Sequence, residues 1–404
     1  MPEPTTAAVG LLFPREDKYA TAEQAVLRQL RSGRLSDTNR GPAIRALEEA
    51  FADLTDTDFA LAFNSGTSAL HAALHATGAH PEAGIAVSPM TWISAITATL
   101  HAGSFPVFCD LEPDGVNLDP TALAAVASSC SAAVVTHAWG IPARMDALAQ
   151  TAEPLALIED ASHAHGAVYR GLPVGSLGAA GCFSLQDAKS VSGGEGGILT
   201  TSNRGVYERA LVLGHHPHRL QNELTLPDLL PLAQTGAAYK FRMPVLSAVI
   251  AREHLRTLPE RARTAGANLA VLTDTLADHK APIAVLHLSE GSRCGWYGTP
   301  LTITEPVRDP DTLHAAAIAA GIPLRPLYDD WVCSPLFQQP GLLQRVWPHV
   351  RLTPYTPPDP DALPNYYRAR HQTLVIKVPT VAAADYMHAV GQALVEVLVR
   401  HLNP

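Results

Sequence analysis

Between residues 59 and 201, seven short apolar runs alternate with segments of helical periodicity, and this alternation constrains the fold of the 404-residue chain more than any other feature. The runs are FALAF (59–63), GIAVS (84–88), PVFCD (106–110), AAVVTH (132–137), LALIED (155–160), GCFSL (181–185) and GGILTT (196–201). SALHAALHATG, WISAITATLHAG, DPTALAAVASS and MDALAQTA lie between several of them with helical spacing. Near-continuous apolar strands separated by helices predict an α/β fold with a mostly parallel sheet covered on both faces. In such a sheet the chemistry gathers at the carboxyl ends of the strands.

Helices are expected over 20–34 and 42–54, the second opening with Pro42 after Gly41. From Pro244 a long helix, VLSAVIAREHLRTLPERARTAGANLAVLTDTLADH, leaves the alternating region. Beyond it SRCGWYGTPLTIT reads as a strand, PDTLHAAAIAAG as a helix and VAAADYMHAVGQALVEVLVRHL as the closing helix. Residues 326–364 hold nine prolines and are expected to lack regular structure, forming a surface or site-covering loop. At roughly 150 residues per domain the length suggests two to three domains. The pattern places a large unit with an N-terminal helical arm over 1–250 and a smaller C-terminal α/β unit over 251–404.

Composition removes several classes of function. Hydrophobic residues make up 47% and charged residues 17%, which is the range of folded proteins rather than disordered ones. The net charge of −9 and the lack of any Lys/Arg stripe leave nucleic-acid binding unsupported. The opening MPEPTTAAVGLLFPREDK has no basic segment leading into an apolar run, and no run of eighteen apolar residues occurs. Five widely spaced cysteines without a C-x-x-C fit free thiols in a reducing compartment, so a cytoplasmic protein is expected. Lysine occurs only at 18, 189, 240, 280 and 377, so chemistry that needs an amine has few candidates.

Four strand-end segments carry candidate groups. Asn64-Ser65-Gly66-Thr67-Ser68 opens a helix with small residues, where free N–H groups and the helix dipole suit a phosphate; the same residues also make an ordinary Ser/Thr cap. Glu159 and Asp160 follow an apolar strand, placing carboxylates where they can pair with a protonated ring nitrogen or a metal. His163 and His165 beside them read equally as satisfied loop histidines or as ligands. Ser184 ends the next strand, and Lys189 lies just beyond it before the turn GGEGG, a setting that lets an amine reach a carbonyl. Trp92 follows GIAVS and either stacks on a flat heteroaromatic ring or fills the core. Neither G-x-x-x-x-G-K-[ST] nor a helix-opening G-x-G-x-x-G is present, so nucleotide readings are weak. A phosphate turn, a later carboxylate, a stacking aromatic and a strand-end lysine together describe a site for pyridoxal 5′-phosphate.

The segments SGRLSDTNRGPAIRALEEAFA, FNSGTSALHAAL, LIEDASHAHGAVYRG, VGSLGAAGCFSLQDAKSVSGGEGGILTT and YKFRMPVLSAVIAREHLRTLPERA resemble the DegT/StrS family of sugar aminotransferases. The chain is especially similar to the branch that contains L-glutamine:scyllo-inosose aminotransferase. The resemblance implies the fold of type I pyridoxal-phosphate transferases, which is aspartate aminotransferase-like, with a seven-stranded sheet in the large domain. It implies that Lys189 bonds to the cofactor aldehyde and that Asp160 pairs with the pyridine nitrogen. Gly66, Thr67 and Ser184 would hold the phosphate, Trp92 would stack on the ring, and His163 would sit near the ring hydroxyl. It further implies a homodimer with shared sites, an amino donor and a keto acceptor. The family's dehydratase branch replaces the lysine by histidine, so Lys189 argues for amino transfer.

Two departures stand out. The family reads G-x-N-Y-R-M where this chain has Ala238-Tyr239-Lys240-Phe241-Arg242-Met243, so Lys240 takes the place of an asparagine that reaches the neighbouring subunit's phosphate. His215, His216 and His218 begin an unusual stretch and read as solvated or substrate-facing, or else as metal ligands. Competing functions are another pyridoxal-phosphate outcome (elimination, racemisation or carbon–carbon chemistry), a cofactor-binding regulator without turnover, and a nicotinamide-dependent oxidoreductase.

Overall fold

A computed structural model describes residues 11–285, 288–353 and 355–402. The first ten residues of the opening segment and Pro354 of the proline-rich stretch lie outside the described residues. Every apolar run is a strand: β1 (Phe59–Phe63), β2 (Gly84–Val87), β3 (Pro106–Phe108), β4 (Cys130–Thr136), β5 (Ala156–Asp160), then, after the short hairpin β6 (Val168–Tyr169) and β7 (Leu172–Pro173), β8 (Ala180–Ser184) and β9 (Gly197–Thr201). The seven form one sheet in the order β1-β9-β8-β5-β4-β2-β3. Neighbours from β3 to β8 run parallel, whereas β9 is antiparallel to both β8 and β1. The exception has a local cause. The connection from β8 to β9 contains no helix to carry the chain back across the sheet, so it closes as a turn, with Leu185 N–H donating to Gly196 C=O at 2.9 Å. Lys189 lies in that connection.

Alternation along β1 shows why both faces are covered. Leu61 and Phe63 enter one apolar layer with Leu70 and Leu74 of the helix Gly66–Ala76. Ala60 and Ala62 enter the opposite layer with Ile44, Leu47 and Phe51 of the helix Pro42–Thr55. Burying each large apolar side chain stabilises by roughly 1.5–3 kcal/mol. A second sheet, β10 (Ile283–Val285), β11 (Thr299–Ile303), β12 (Leu324–Arg325) and β13 (Thr373–Ile376), is ordered β10-β11-β13-β12 and wholly antiparallel. Its apolar residues Leu301, Leu374 and Ile376 share a core with Leu272 and with Val390 and Leu394 of the closing helix Ala384–Leu402. Among the described residues no helix is long and apolar enough to cross a membrane.

Three expectations require correction. The single helix from Pro244 is two, Val245–Arg256 and Leu258–Asp278, because Pro259 lacks an N–H and its ring would collide with the carbonyl four residues back. Of SRCGWYGTPLTIT only Thr299–Ile303 is strand. The proline-rich stretch is not devoid of helix: Pro335–Gln338 and Pro340–Val346 are helical and Pro360–Ala362 is a 3₁₀ turn. Each begins with its proline, where a missing N–H costs nothing.

Histidines buried in this fold make it sensitive to acid. His71 lies on the buried face of the helix Gly66–Ala76; burial, with a smaller effect from His101, His75 and His349, pushes it down to about 4. Its folded pKa is below the unfolded value, so the unfolded chain takes up the proton first and stability falls as pH drops from about 6.5 towards 4. A loss of about 3 kcal/mol from this residue is expected over that window. Urea midpoints at pH 7 and pH 4.5 would check it; His71→Gln should flatten the difference.

Candidate active site

The carboxyl ends of β1, β2, β5 and β8 converge on one crevice. At the first, Ser65 caps the helix Gly66–Ala76 by accepting from Ser68 N–H at 3.1 Å, so the cap expected from the sequence is present. The first N–H groups of that helix have no intrahelical acceptor. A side chain on Gly66 would stand 2.9 Å from Ser184 Cβ, so only glycine lets this helix start press against the end of β8. Thr67 donates to Ser94 Oγ at 2.9 Å, tying the Gly66 turn to the helix Ile93–His101 that Trp92 precedes. Trp92 is 54% exposed, so it is no core residue.

The two neighbouring acids separate. Asp160 Oδ1 accepts from Ser162 N–H at 3.2 Å, and the carboxylate is buried on the crevice side. Glu159, expected to project into the same crevice, points the other way, because adjacent strand residues face opposite sides of a sheet. It accepts from Gly175 N–H (2.8 Å), Leu177 N–H (2.7 Å) and Gly178 N–H (2.9 Å) and pairs with His137 Nε2 at 3.0 Å. Glu159 therefore holds the fold together.

Lys189 is half-buried, and desolvation of its amine pushes it down to about 8. The Asp160 carboxylate opposes that shift and Arg325 adds to it. His163 is buried and held well below the usual histidine range, first by burial and then by Lys189 and Arg325, so it is neutral. His165 is also buried, with both ring nitrogens unpartnered among the described residues, and burial pushes it down to about 3. It packs against Phe51 and Phe183.

Residues absent from the sequence reading complete the cluster. Tyr297 lies flat on His163, with centroids 3.9 Å apart, and its ring faces Lys189 Nζ at 4.6 Å and the Arg325 guanidinium at 3.7 Å. Tyr328 reaches His163 Nδ1 at 2.8 Å and stacks on Trp139. Tyr297 arrives because Gly295 passes against the His163 carbonyl, where any Cβ would sit 2.7 Å away. The GWYG spacing is the one trace of this contact in the sequence. Other residues brace the Lys189 loop. Tyr19 OH meets Ser192 Oγ at 3.0 Å, His254 Nδ1 accepts from Ser192 N–H at 3.0 Å, and Arg261 donates to Ser190 C=O at 2.8 Å.

Lys240 is exposed and lies outside this cluster within the single chain. Both it (φ 56°) and Ala238 (φ 59°) adopt the left-handed backbone, which suits the asparagine and glycine of the family motif better than lysine and alanine. Lys240→Asn and Ala238→Gly are each expected to raise stability by about 1 kcal/mol, read as a higher urea midpoint at unchanged slope. His215 is buried, not solvated, with Nε2 unpartnered among the described residues. His216 caps the helix Pro217–Glu223, and His218 Nδ1 lies 3.3 Å from Thr38 Oγ1. Among the described residues no group of three or more His, Cys, Asp or Glu could hold a metal ion.

The residues fit pyridoxal 5′-phosphate. A desolvated amine, a buried carboxylate beside it, and a glycine-tight helix start against Ser184 match its aldehyde, ring nitrogen and phosphate in chemistry. Ser190 Oγ is buried and unpartnered among the described residues, which leaves a further polar group for a ligand.

Comparison with known proteins gives concordant matches. Residues 16–347 match the model of the DegT/DnrJ/EryC1/StrS aminotransferase family. The L-glutamine:2-deoxy-scyllo-inosose aminotransferase of Streptomyces fradiae is 33% identical over 318 residues, 75% of this chain and 74% of that protein. The aminotransferase from Psychrobacter cryohalolentis superposes with a TM-score of 0.82 at 25% identity, covering 97% of this chain and 100% of that one. DesI, solved in the presence of its TDP-sugar product, gives a TM-score of 0.74 at 28% identity over 96% of this chain and 91% of its own.

Proposed function

The chain belongs to the DegT/DnrJ/EryC1/StrS aminotransferase family, and from that membership we propose that it transfers an amino group from L-glutamine or L-glutamate to a keto-cyclitol or keto-sugar of secondary metabolism. It is a pyridoxal 5′-phosphate-dependent aminotransferase of fold type I. The observation that carries the proposal is the desolvated Lys189 amine, whose charge is offset by the buried Asp160 at the neighbouring strand end.

When bound, the cofactor supplies an aldehyde that takes up amines and a ring that draws off electrons. Lys189 would tether it, Asp160 would hold the ring nitrogen protonated, and Gly66, Thr67 and Ser184 would cradle the phosphate. Trp92 would cover one ring face. The Lys189 amine, once free, is uncharged above about pH 8 and can take the proton from the donor's α-carbon. Burial of Asp160 and His163 keeps water from competing for these groups.

A second copy of the chain would complete the site, with Lys240 reaching the partner's phosphate as a point charge; the exposure of Lys240 and of Tyr239 (54%) supports this. A division near residue 250 would separate the unit built on the seven-stranded sheet from a smaller C-terminal unit. Five free cysteines support work in the reducing cytoplasm.

Titrating the purified holoenzyme with L-glutamine and L-glutamate, watching the cofactor's visible absorption, tests the proposal. Bleaching by either donor, recovery on adding a keto-cyclitol, and an amino-cyclitol product are expected. Bleaching without an amine product would point to another reaction. A cofactor that binds and does not respond to any donor would point to a sensor.

A further inference from the structure

Tyr328 comes from the proline-rich segment, 165 positions from His163, and its hydroxyl lies 2.8 Å from His163 Nδ1. The ring planes are 3° apart, and the phenol oxygen is within hydrogen-bond reach of the ring nitrogen. Both rings are locked. Tyr297 lies against His163 with centroids 3.9 Å apart and planes 1° apart, and Trp139 stacks on Tyr328 with centroids 4.9 Å apart.

Tyr328 is buried, and a buried hydroxyl proton needs an acceptor. Among the described residues the side-chain partner of that hydroxyl is His163 Nδ1. The phenolic proton is therefore satisfied by pointing at Nδ1. A neutral imidazole has one donor and one acceptor nitrogen, so acceptance at Nδ1 puts the proton on Nε2. His163 is neutral because burial, Lys189 and Arg325 all disfavour its charge. Its Nε2 has no hydrogen-bond partner among the described residues.

We propose that Tyr328 is a positioning residue that donates to His163 Nδ1, fixes the imidazole as the Nε2–H tautomer, and so presents a permanent N–H donor to the cofactor's ring oxygen. The tautomer claim stands on the protein alone; the last clause rests on the function proposed above, which places His163 beside that oxygen. An Nε2–H donor draws electron density from the oxygen and weakens its hold on a neighbouring proton. Loss of the donor should tighten that hold.

The test begins with cofactor-free protein carrying ¹⁵N-labelled histidine, with His163→Gln used to assign the resonance. Wild type is expected to show the Nε2–H tautomer. In Tyr328→Phe, which keeps the ring against Trp139, the tautomer ratio should shift about tenfold towards Nδ1–H, the worth of one buried hydrogen bond. In the loaded enzyme the same variant should raise the pH midpoint of the cofactor's visible absorption by about one unit. It should also lower kcat about tenfold, with KM for the amino donor nearly unchanged. An Nδ1–H tautomer in wild type, or an unchanged ratio in Tyr328→Phe, overturns the proposal. An unmoved midpoint overturns the role towards the cofactor. Should the variant fail to fold, the wild-type tautomer still decides the first claim. Failure of the chain to bind any cofactor refutes the proposed function and leaves the tautomer result standing.

Discussion

Replacing Lys189 by alanine is expected to reduce transamination by about four orders of magnitude or more, since the substitution removes the covalent tether and the proton carrier together. The magnitude follows from the scarcity of substitutes. Lysine occurs at five positions, and of the others Lys18 is engaged with Asp187, while Lys240 lies exposed outside the cluster. Alanine leaves the fold intact because among the described residues no hydrogen bond from the Lys189 side chain supports it; what the loop needs are the contacts of Tyr19, His254 and Arg261. Borohydride should fix the cofactor to wild type and not to the variant. The depressed amine offers a second check in cofactor-free protein. Its reaction with an acylating reagent should rise tenfold per pH unit and level off near 8, whereas ordinary lysines continue to gain reactivity up to about 10.4. Normal turnover by the alanine variant would sink the assignment of Lys189.

The adjacent acids should fail in opposite ways. Asp160→Asn removes the charge meant to hold the ring nitrogen protonated, and a loss in kcat of about 10²-fold to 10³-fold is expected, with the urea midpoint little changed. Glu159→Gln should do the reverse. The buried carboxylate accepts three backbone N–H groups and faces the buried His137, and an amide presents donors to some of those donors. A loss of about 3–5 kcal/mol in unfolding free energy is expected, and kcat per folded molecule should stay near wild type. Identical outcomes for the two substitutions would mean that the face assignment of β5 is wrong.

The two faces of β5 are not legible in the sequence. LALIED announces a buried strand ending in two acids, yet an almost wholly apolar run has no alternation from which to tell its faces apart. Only the neighbours of Glu159, brought in by the turn at 175–178, reveal its side. Trp92 had two readings that composition could not separate, and exposure removes the core one. Pro335, Pro340 and Pro360 start helical turns rather than breaking structure, because proline excludes helix interiors and favours first turns.

The sequence by itself determined the seven strands, most of the helices and the candidates Lys189, Asp160, Gly66 and Ser184. Those signals are local: apolar runs, helical spacing, and polar groups at strand ends, each set by a few consecutive residues. The tertiary structure alone decided that β9 runs against its neighbours, that Glu159 turns away from Asp160, and that Tyr297, Arg325 and Tyr328 close over His163. The pairing of β9 with β1 and the contacts of Tyr297 and Tyr328 with His163 join residues more than a hundred positions apart, and the turn from β8 to β9 and the partners of Glu159, though nearer in the chain, are likewise chosen by packing complementarity, which leaves no periodic mark on either segment.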